Sequence, residues 1–578
     1  MNGAPTDVQP TDGEEPDLVF PQANFMPVRA IALILESTLG PTPLDALIVN
    51  QLAARTERDS FTDNLPTDDF TVTGDGKTIL DELPLQHPVA PIVRRIAGPE
   101  RPGDSDIKGG ADTDGVTTAV VLLNALLDEA EALMELGLHP AEITSGYEAA
   151  LEVATGTLSD AARQSSSFAD ERAILTDVAR TAMTGNDVGG FADEWAELAV
   201  TAVEQVGAPG PTTLAVRQLS SGTIADSRLV YGAVLDRNEV AHMDMPHRAD
   251  DATVLVIDGQ DEGGLRFDDP PENVTATLEP GTSIKAFDDA RSAKRQQVLA
   301  DLVDYGVDVV VTRQGIDTEY ERLLADAGIM GVDGVTQLDI QHVMNATGAS
   351  PVLKSDDFDE SDFGRAGTVR EEIIEPRRHR RKNRRMVLFE GCEDPGTVTL
   401  VLRGVFGQIA DQATVQVRTA ASAVSAAVGN GSCQPGIVAG GGAADVEVVR
   451  AVIEAAKSVD DRSQLAMNGF ADAVESVVVA LVRNSSGDPL AVVPELRAAH
   501  NEGQMTVGYH LPSRTVTDTL DAGVLDPLDV RIRALVSATE VARVLLRIDD
   551  TLDATFEEEI AGPEDSIYDE QAEVHSDS

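Results

Sequence analysis

Several short segments combine glycine with acidic or hydroxyl side chains, a combination that suits phosphate and metal binding. In residues 111–118, aspartates and threonines lead directly into an apolar helix predicted over 117–136. The free backbone N–H groups and positive dipole end of a helix start can hold a phosphate. Asp114 beside that phosphate would need a bridging divalent cation, for which Mg²⁺ is the usual choice. The alternative is a plain Asp or Thr N-cap.

Two further segments lie nearer the start of the chain. Gly74-Asp75-Gly76 follows a β-like stretch at 70–72 and presents the Asp75 carboxylate, although the same residues are typical of a hairpin turn. Leu39-Gly40-Pro41 is typical of a helix end with a C-cap glycine and a following proline, which needs no ligand. Neither segment is specific by itself.

Two more segments lie near the end of the chain. The glycine triplet 440–442 precedes a predicted helix and would let the backbone approach a flat ligand closely; a flexible loop is the alternative. Asp526 is placed like an acid that holds a ribose hydroxyl, or like the N-cap of the helix that follows. Both interpretations stay open for each segment.

Hydrophobic periodicity predicts the elements that must position these residues. Helical spacing recurs at 28–39, 117–136, 192–206, 290–305, 446–456, 465–482 and 531–546. In the centre, the β-branched runs 252–257 and 307–312 flank a helix, the pattern of an α/β unit with a buried sheet. The sequence therefore predicts a multidomain protein that is mostly helical at both ends and α/β in the middle.

Composition narrows the functional classes. The 578 residues include 99 acidic and 44 basic side chains, for a net charge of −55, and 42% are hydrophobic, which indicates about three to five globular domains. Such a negative surface repels nucleic acid and anionic membranes, so neither is expected as a partner. Molar salt shortens the Debye length to ~3 Å and removes the self-repulsion, which predicts a salt-rich cytoplasm.

The cysteine content and the lack of a recognisable secretory signal also point to the cytoplasm. Cys392 and Cys433 are too few for a disulfide framework, and no secretory signal opens the chain. The apolar stretches fall short of the ~20 residues of a membrane helix. We therefore expect a cytoplasmic protein without a membrane span. Cys392 and Trp195 are expected to be packing residues.

The order and flanks of these segments resemble the group II chaperonins, the family of the archaeal thermosomes and the related eukaryotic cytosolic complex. The resemblance covers about residues 24–555, and a highly acidic chain of this kind suggests a divergent member of haloarchaeal type. The matching segments, in chain order, are 38–41, 73–80, 87–88, 114–118, 137–140, 389–392, 440–442, 495–500 and 546–550.

The resemblance implies a fold and an activity. Both chain ends would form a helical equatorial ATP-binding domain, joined through a split intermediate domain to a central α/β apical domain. Members assemble into two stacked rings, usually of eight subunits, in which ATP drives the enclosure and folding of non-native polypeptides; whether this ring is homo- or hetero-oligomeric stays open. The implied divisions are a tail (1–18), equatorial (19–146), intermediate (147–215), apical (216–365), intermediate (366–402) and equatorial (403–556) parts and an acidic tail (557–578).

Position by position, the resemblance also implies site residues. Asp75 would orient the attacking water, and Asp114 would bind Mg²⁺. Gly441 and Asp526 would contact the nucleoside. The residues implied at the phosphates of ATP are Leu39, Gly40, Pro41, Gly74, Asp114, Gly115, Val116, Thr117 and Thr118.

The sequence departs from the family where hydrolysis is concerned. A second hydrolytic aspartate of the family is replaced by Thr419 in an ungapped alignment, or by Ser422 in a shifted one. A hydroxyl cannot act as a general base near neutral pH, and loss of such a group typically lowers the rate by ~10²–10⁴-fold. We therefore predict ATP binding with weak hydrolysis. The alternative function is a hydrolysis-impaired structural or regulatory subunit of a hetero-oligomeric chaperonin.

Further departures concern contacts with the nucleotide. Thr113, Val116 and Thr42-Pro43 replace residues that the family uses around the phosphates, and His510 replaces an asparagine near the base. An arginine-rich run, 377–385, places seven positive charges in nine positions. It is interpreted as a contact with an acidic subunit or substrate surface, as a nucleic-acid patch, or as a solvated loop that pairs with nearby glutamates.

Overall fold

Helices dominate both ends of the chain, and the middle contains both helices and strands. The computed structural model describes residues 22–40, 46–49, 70–83, 87–97, 115–167, 171–184, 192–219, 221–236, 240–259, 284–354, 357–375, 384–404, 407–430 and 433–548. The helices are α1 (Gln22–Glu36), α2 (Gly76–Glu82), α3 (Ala90–Arg94), α4 (Val116–Glu135), α5 (Pro140–Ala161), α6 (Arg172–Met183), α7 (Ala192–Val206), α8 (Ile284–Asp304), α9 (Thr318–Ala327), α10 (Gln337–Thr347), α11 (Gly407–Val428), α12 (Ala443–Ala456), α13 (Ser463–Asn484), α14 (Pro489–Asn501) and α15 (Leu528–Leu545).

The strands are short, and most of them lie in the middle of the chain. They are β1 (Ala46–Val49), β2 (Phe70–Thr73), β3 (Leu214–Leu219), β4 (Arg228–Val230), β5 (Gly232–Asp236), β6 (Arg248–Ile257), β7 (Val309–Thr312), β8 (Met330–Val332), β9 (Pro351–Val352), β10 (Gly364–Glu375), β11 (Arg384–Glu390), β12 (Val398–Arg403), β13 (Ile437–Ala439), β14 (Val507–His510), β15 (Thr515–Asp518) and β16 (Leu525–Pro527). The predicted helices and strands are all present, with ends that differ by a few residues.

The first unit is helical and is built from both ends of the chain. Helices α1, α4, α5, α12, α13 and α15 share one hydrophobic core. Its centre includes Leu123, Tyr147 and Phe470, and the Tyr147 and Phe470 rings meet edge to face with centroids 6.0 Å apart. Within the described part of the chain, α13 is the helix long and apolar enough to cross a membrane, but most of it is buried in this core. Its length and composition are those of a central core helix.

The central unit is the α/β unit that the sequence predicts. Its sheet has the strand order β5-β11-β10-β6-β7-β8, with β9 beside β6. Strands β6, β7 and β8 are parallel, whereas β10 and β11 pair antiparallel with their neighbours. The parallel strands read as apolar runs because helices cover the sheet, and Val254, Val310 and Val332 are fully buried.

The third unit joins the other two. It consists of the sheet β3-β12-β4 with α6, α7 and α11 packed around one core. Trp195 is buried in this core, as predicted for a packing residue. Cys392 packs at the edge of the central core, and burial raises the pKa of its thiol to about 11, which makes it an unreactive thiol near neutral pH.

The arginine-rich run lies mostly outside the described residues. Only Arg384 and Arg385 are described, at the start of β11. Arg385 Nη1 lies 2.7 Å from Glu371 Oε2, an ion pair of the kind expected for a solvated loop that pairs with nearby glutamates. The role of 377–383 stays a prediction.

The cores divide the chain at other points than the sequence-based boundaries. The boundary at 146/147 falls inside α5, whose buried apolar side chains belong to the first core, and the boundary at 365/366 falls inside β10 of the central sheet. Helix α11 packs in the third core, not the first. We therefore propose that the equatorial unit comprises 22–161 and 437–548, the intermediate unit 172–230 and 398–428, and the apical unit 232–391.

Candidate functional site

Two adjoining cavities lie where the first and third units meet. The larger cavity has a volume of about 260 Å³ and the smaller one about 160 Å³. Both are lined by Leu39, Gly40, Thr118 and Thr184. These shared walls make the two cavities neighbouring parts of one cleft.

The structure brings most of the predicted site residues into this cleft. Val116 is buried at the start of α4 and lines neither cavity, and Pro41 and Asp114 lie outside the described residues. Gly441 and Asp526 line the larger cavity. The predicted residues that line the smaller cavity are Leu39, Gly40, Gly74, Asp75, Gly115, Thr117 and Thr118.

Helix α4 begins at the smaller cavity. Its N-cap is Gly115, in the left-handed region at φ 85°, which has no side chain with which to cap the helix. The alternative of a plain Asp or Thr N-cap is therefore wrong. Because the N-cap residue supplies no side-chain acceptor, the N–H groups at the start of this 20-residue helix can bind an anion in the cavity.

Asp75 is held by the first turn of α2. Its Oδ2 accepts hydrogen bonds from Thr78 N at 2.8 Å and Thr78 Oγ1 at 2.7 Å. Asp75 is the N-cap of α2, so a helix and not a second strand follows the Asp-Gly turn. Strand β2 pairs with the earlier strand β1, and the hairpin alternative is therefore wrong. Desolvation raises the pKa of this carboxyl, against the lowering effect of the Thr78 bonds and of Lys77. A carboxylate with a raised pKa is a better proton acceptor than an exposed one.

Gly76 lets two helix starts meet. A Cβ placed at Gly76 would lie 2.4 Å from Thr117 Oγ1 and 3.0 Å from Thr117 N. Any side chain there would force α2 away from α4. The glycine therefore sets the distance between Asp75 and the N-terminus of α4.

The loop after α1 is held from the other half of the chain. Asn484, at the end of α13, donates from Nδ2 to the carbonyls of Glu36 at 2.5 Å and Leu39 at 2.8 Å. Gly40 follows at φ 104°, a conformation that favours glycine. Helix α1 ends at Glu36, four residues before Gly40, so the predicted role of Gly40 as its C-cap glycine is wrong. The loop that contains Gly40 lines both cavities instead.

The glycine triplet is an ordered turn, so the alternative of a flexible loop is wrong. Gly440 N donates to Val524 O at 2.9 Å, and Tyr509 N donates to Gly441 O at 2.8 Å. A Cβ at Gly441 would lie 2.5 Å from Tyr509 O. The triplet thus brings backbone close to backbone, with Gly442 as the N-cap of α12.

Asp526 lies in β16, which pairs with β13. The N-cap of α15 is Pro527 and has no side-chain hydrogen bond, so the N-cap alternative for Asp526 is wrong. Desolvation raises the pKa of Asp526, Arg531 lowers it, and Asp445 raises it further. Arg531 itself forms an ion pair with Asp445.

Three residues of the larger cavity come from α6 and the turn after it, in the third unit. Arg180, Thr181 and Thr184 line it, and none was identified from the sequence. No local motif marks them, because they reach the cleft through packing between units. His510, predicted to lie near a base, also lines the cavity, and its Nδ1 lies 2.6 Å from Ser513 Oγ.

The two alignments put different residues, Thr419 or Ser422, at the position of the family's second hydrolytic aspartate. Thr419 lines the smaller cavity with Asp75, whereas Ser422 lines neither cavity. Thr419 Oγ1 donates to Val415 O at 3.0 Å. Asp75 is the one carboxylate among the described residues that line the smaller cavity. The described part of the chain holds no group of three or more His, Cys, Asp or Glu arranged for a metal ion.

Comparison with known proteins agrees with this architecture. The family model of the TCP-1/cpn60 chaperonin family matches residues 31–555, and the chain belongs to that family. Within it, the chain is a group II chaperonin folding subunit of the thermosome type.

Proteins similar to this chain include archaeal thermosome subunits. The chain is 34% identical to a thermosome subunit of Methanopyrus kandleri, over 92% of this chain and 91% of the relative. It is also 34% identical to the thermosome subunit beta of Aeropyrum pernix, with the same shares of the two chains covered. Among solved structures, the open-state monomer of a group II chaperonin from Methanococcoides burtonii matches with a TM-score of 0.57 and 27% identity, over 75% of this chain and all of that one.

Proposed function

We propose that this chaperonin subunit binds ATP in the cleft formed by the two cavities and hydrolyses it slowly. The observation that carries the proposal is the convergence of Gly40, Asp75, Thr118, Gly441 and Asp526, from both halves of the chain, on adjoining cavities. The smaller cavity takes the phosphates and the larger one takes the nucleoside.

The chemistry of each wall supports this orientation. Backbone N–H groups at the start of α4 and in the loops around Gly40 and Gly74 would hold the phosphates. The Asp526 carboxylate would accept a hydrogen bond from a ribose hydroxyl, and His510 would lie beside the base. Mg²⁺, when bound, would neutralise charge on the phosphates. Its predicted ligand Asp114 lies outside the described residues.

Hydrolysis depends on Asp75. The water oxygen forms a bond to the terminal phosphorus, the bond from that phosphorus to the bridging oxygen breaks with its electron pair on ADP, and the proton of the water passes to the Asp75 carboxylate. Thr419 can form a hydrogen bond in the same cavity but cannot take up a proton. The reaction is therefore slow.

The proposal also includes the assembly of the subunits into a ring. Relatives are named as thermosome subunits alpha and beta, and we propose that this chain also assembles with identical or paralogous subunits into a double ring that encloses non-native polypeptides in the cytoplasm. Thr419 favours a second candidate function, a hydrolysis-impaired structural or regulatory subunit that assembles with active paralogues.

The test combines mass and nucleotide measurements on the full chain in molar KCl. We expect a large ring particle, Mg-dependent ATP binding and slow turnover. A particle that contains paralogues, together with absent turnover, would favour the structural subunit. Absence of ATP binding, or a monomer under all salt conditions, would contradict the proposal.

A further inference from the structure

Gln416 is a buried polar residue that the proposed chemistry does not yet use. It lies on α11, is 3% exposed, and lines the smaller cavity together with Asp75 and Thr419. Its Oε1 has no hydrogen-bond partner within the described part of the chain. A buried acceptor without a partner is destabilising, and native proteins rarely retain one unless a ligand or water completes it.

The chemistry of Gln416 Oε1 defines which kind of group can be its hydrogen-bond partner. A carbonyl oxygen only accepts hydrogen bonds, so it repels the oxygens of a phosphate. The start of α4 and the glycines of the same cavity offer N–H donors to the phosphate instead. The partner of Oε1 must therefore be a donor, and beside a bound phosphate the donor of suitable size is a water molecule.

The place of Gln416 on its helix agrees with this role. Thr419 lies three residues further along α11, and residues at this spacing are neighbours on one helix face. In other phosphoryl-transfer enzymes a glutamine amide orients the attacking water without acting as its base. Here the carboxylate of Asp75 lines the same cavity and can take the proton.

We infer that Gln416 orients the attacking water and replaces in part the carboxylate that is absent at Thr419. The inference rests on the proposed ATP site. Gln416 Oε1 accepts one hydrogen of the water, Asp75 accepts the other as a proton, and the water oxygen bonds to the terminal phosphorus as ADP leaves. The reaction needs no further reactant.

The experiment is single-turnover hydrolysis of ATP by the full chain in molar KCl. Gln416→Met keeps the length of the side chain but removes the amide, and Gln416→Glu keeps an acceptor oxygen. Gln412→Met on the same helix is the matched control, because Gln412 lines neither cavity. We expect Gln416→Met to lower the hydrolysis rate on the order of 10²-fold with ATP affinity unchanged. Gln416→Glu should restore most of the rate, and Gln412→Met should match the wild type.

Several results would overturn the inference. A wild-type rate in Gln416→Met, or a Gln416→Glu variant as slow as Gln416→Met, would show that the acceptor oxygen is not used. If Gln416→Met does not fold, a rate in Gln416→Glu reduced on the order of 10²-fold would also overturn it. A wild type that binds no ATP would remove the proposed site itself, whereas intact binding and turnover with no effect of Gln416 would remove only this inference.

Discussion

Asp75 at the start of α2 and Thr419 on α11 line the same small cavity, although they belong to distant parts of the chain. At these two positions the cavity presents a carboxylate and a hydroxyl, whereas the resemblance to the group II chaperonins implies two carboxylates. The hydroxyl cannot take up a proton, so under the proposed function the rate of hydrolysis would rest on Asp75 and on the residues that orient the water. This arrangement yields a direct test.

Introducing the missing carboxylate should accelerate turnover. In Thr419→Asp we expect the rate of ATP hydrolysis to rise by ~10²-fold or more, because a second group can then activate the water. The measurement is steady-state phosphate release with Mg-ATP in molar KCl. Ser422→Asp is the matched control and should leave the rate unchanged, since Ser422 lines neither cavity. Acceleration by Ser422→Asp alone would contradict the ungapped alignment.

Removing the remaining carboxylate should slow hydrolysis strongly. Asp75→Asn keeps an N-cap acceptor for Thr78, so α2 should stay folded while the rate falls by ~10²–10⁴-fold. ATP affinity should be retained, as measured by equilibrium binding. A variant that hydrolyses at the wild-type rate would exclude Asp75 as the proton acceptor.

The pH dependence should report the same carboxyl. Desolvation raises the pKa of Asp75, and only its ionised form can accept a proton. The single-turnover rate should therefore fall as the pH decreases, with a midpoint above ~3.9, the ordinary value for aspartate. A pH–rate profile in constant high salt checks the midpoint. The loss should be absent from the residual rate of Asp75→Asn, and its persistence there would assign it to another group.

Close contact between α2 and α4 should make Gly76 irreplaceable. Gly76→Ala places a methyl group 2.4 Å from Thr117 Oγ1 and should lower both the unfolding temperature and ATP affinity. The matched control is Gly156→Ala, at an exposed position of α5 with nothing within 4 Å of the added carbon. That variant should be more stable by ~0.5–1 kcal/mol, because alanine restricts the unfolded chain and favours helix. Thermal unfolding checks both, and equal stability of the two variants would contradict the contact.

Asp526 should lower the stability of the nucleotide-free protein and raise its affinity for nucleotide. Its folded-state pKa is raised above the unfolded value, so its favourable contribution to folding exists at low pH and is lost as the pH rises through the folded pKa. Asp526→Asn should therefore raise the unfolding temperature of the nucleotide-free protein near neutral pH. It should also weaken ADP binding by about 10–100-fold, the effect of losing a hydrogen bond to a charged group. Exposed Asp521→Asn is the control, and an unchanged ADP affinity in Asp526→Asn would exclude the ribose contact.

The sequence by itself determined the local elements and much of the cleft. Apolar periodicity located α4, α12, α13 and α15, since a helix that packs on a core must repeat its apolar residues every three or four positions. Segments that contain glycine marked the loops around Gly40, Asp75, Gly115 and Gly441, and the segments at Gly115 and Gly441 lead into predicted helices. These signals are local, because backbone conformation and helix capping depend on residues a few positions apart.

Tertiary structure alone decided which elements meet. Sequence patterns do not show which core covers an element, so the domain boundaries drawn from the sequence cut α5 and β10. For the same reason they group α11, which packs in the third core, with the equatorial part. Contacts between distant segments determine the hydrogen bond from Asn484 to the Leu39 carbonyl and the entry of Arg180 into the larger cavity. They also determine that the oxygen of Gln416 has no partner among the residues that the structure describes. Such contacts follow from how whole helices and sheets pack, and no short stretch of sequence contains that information.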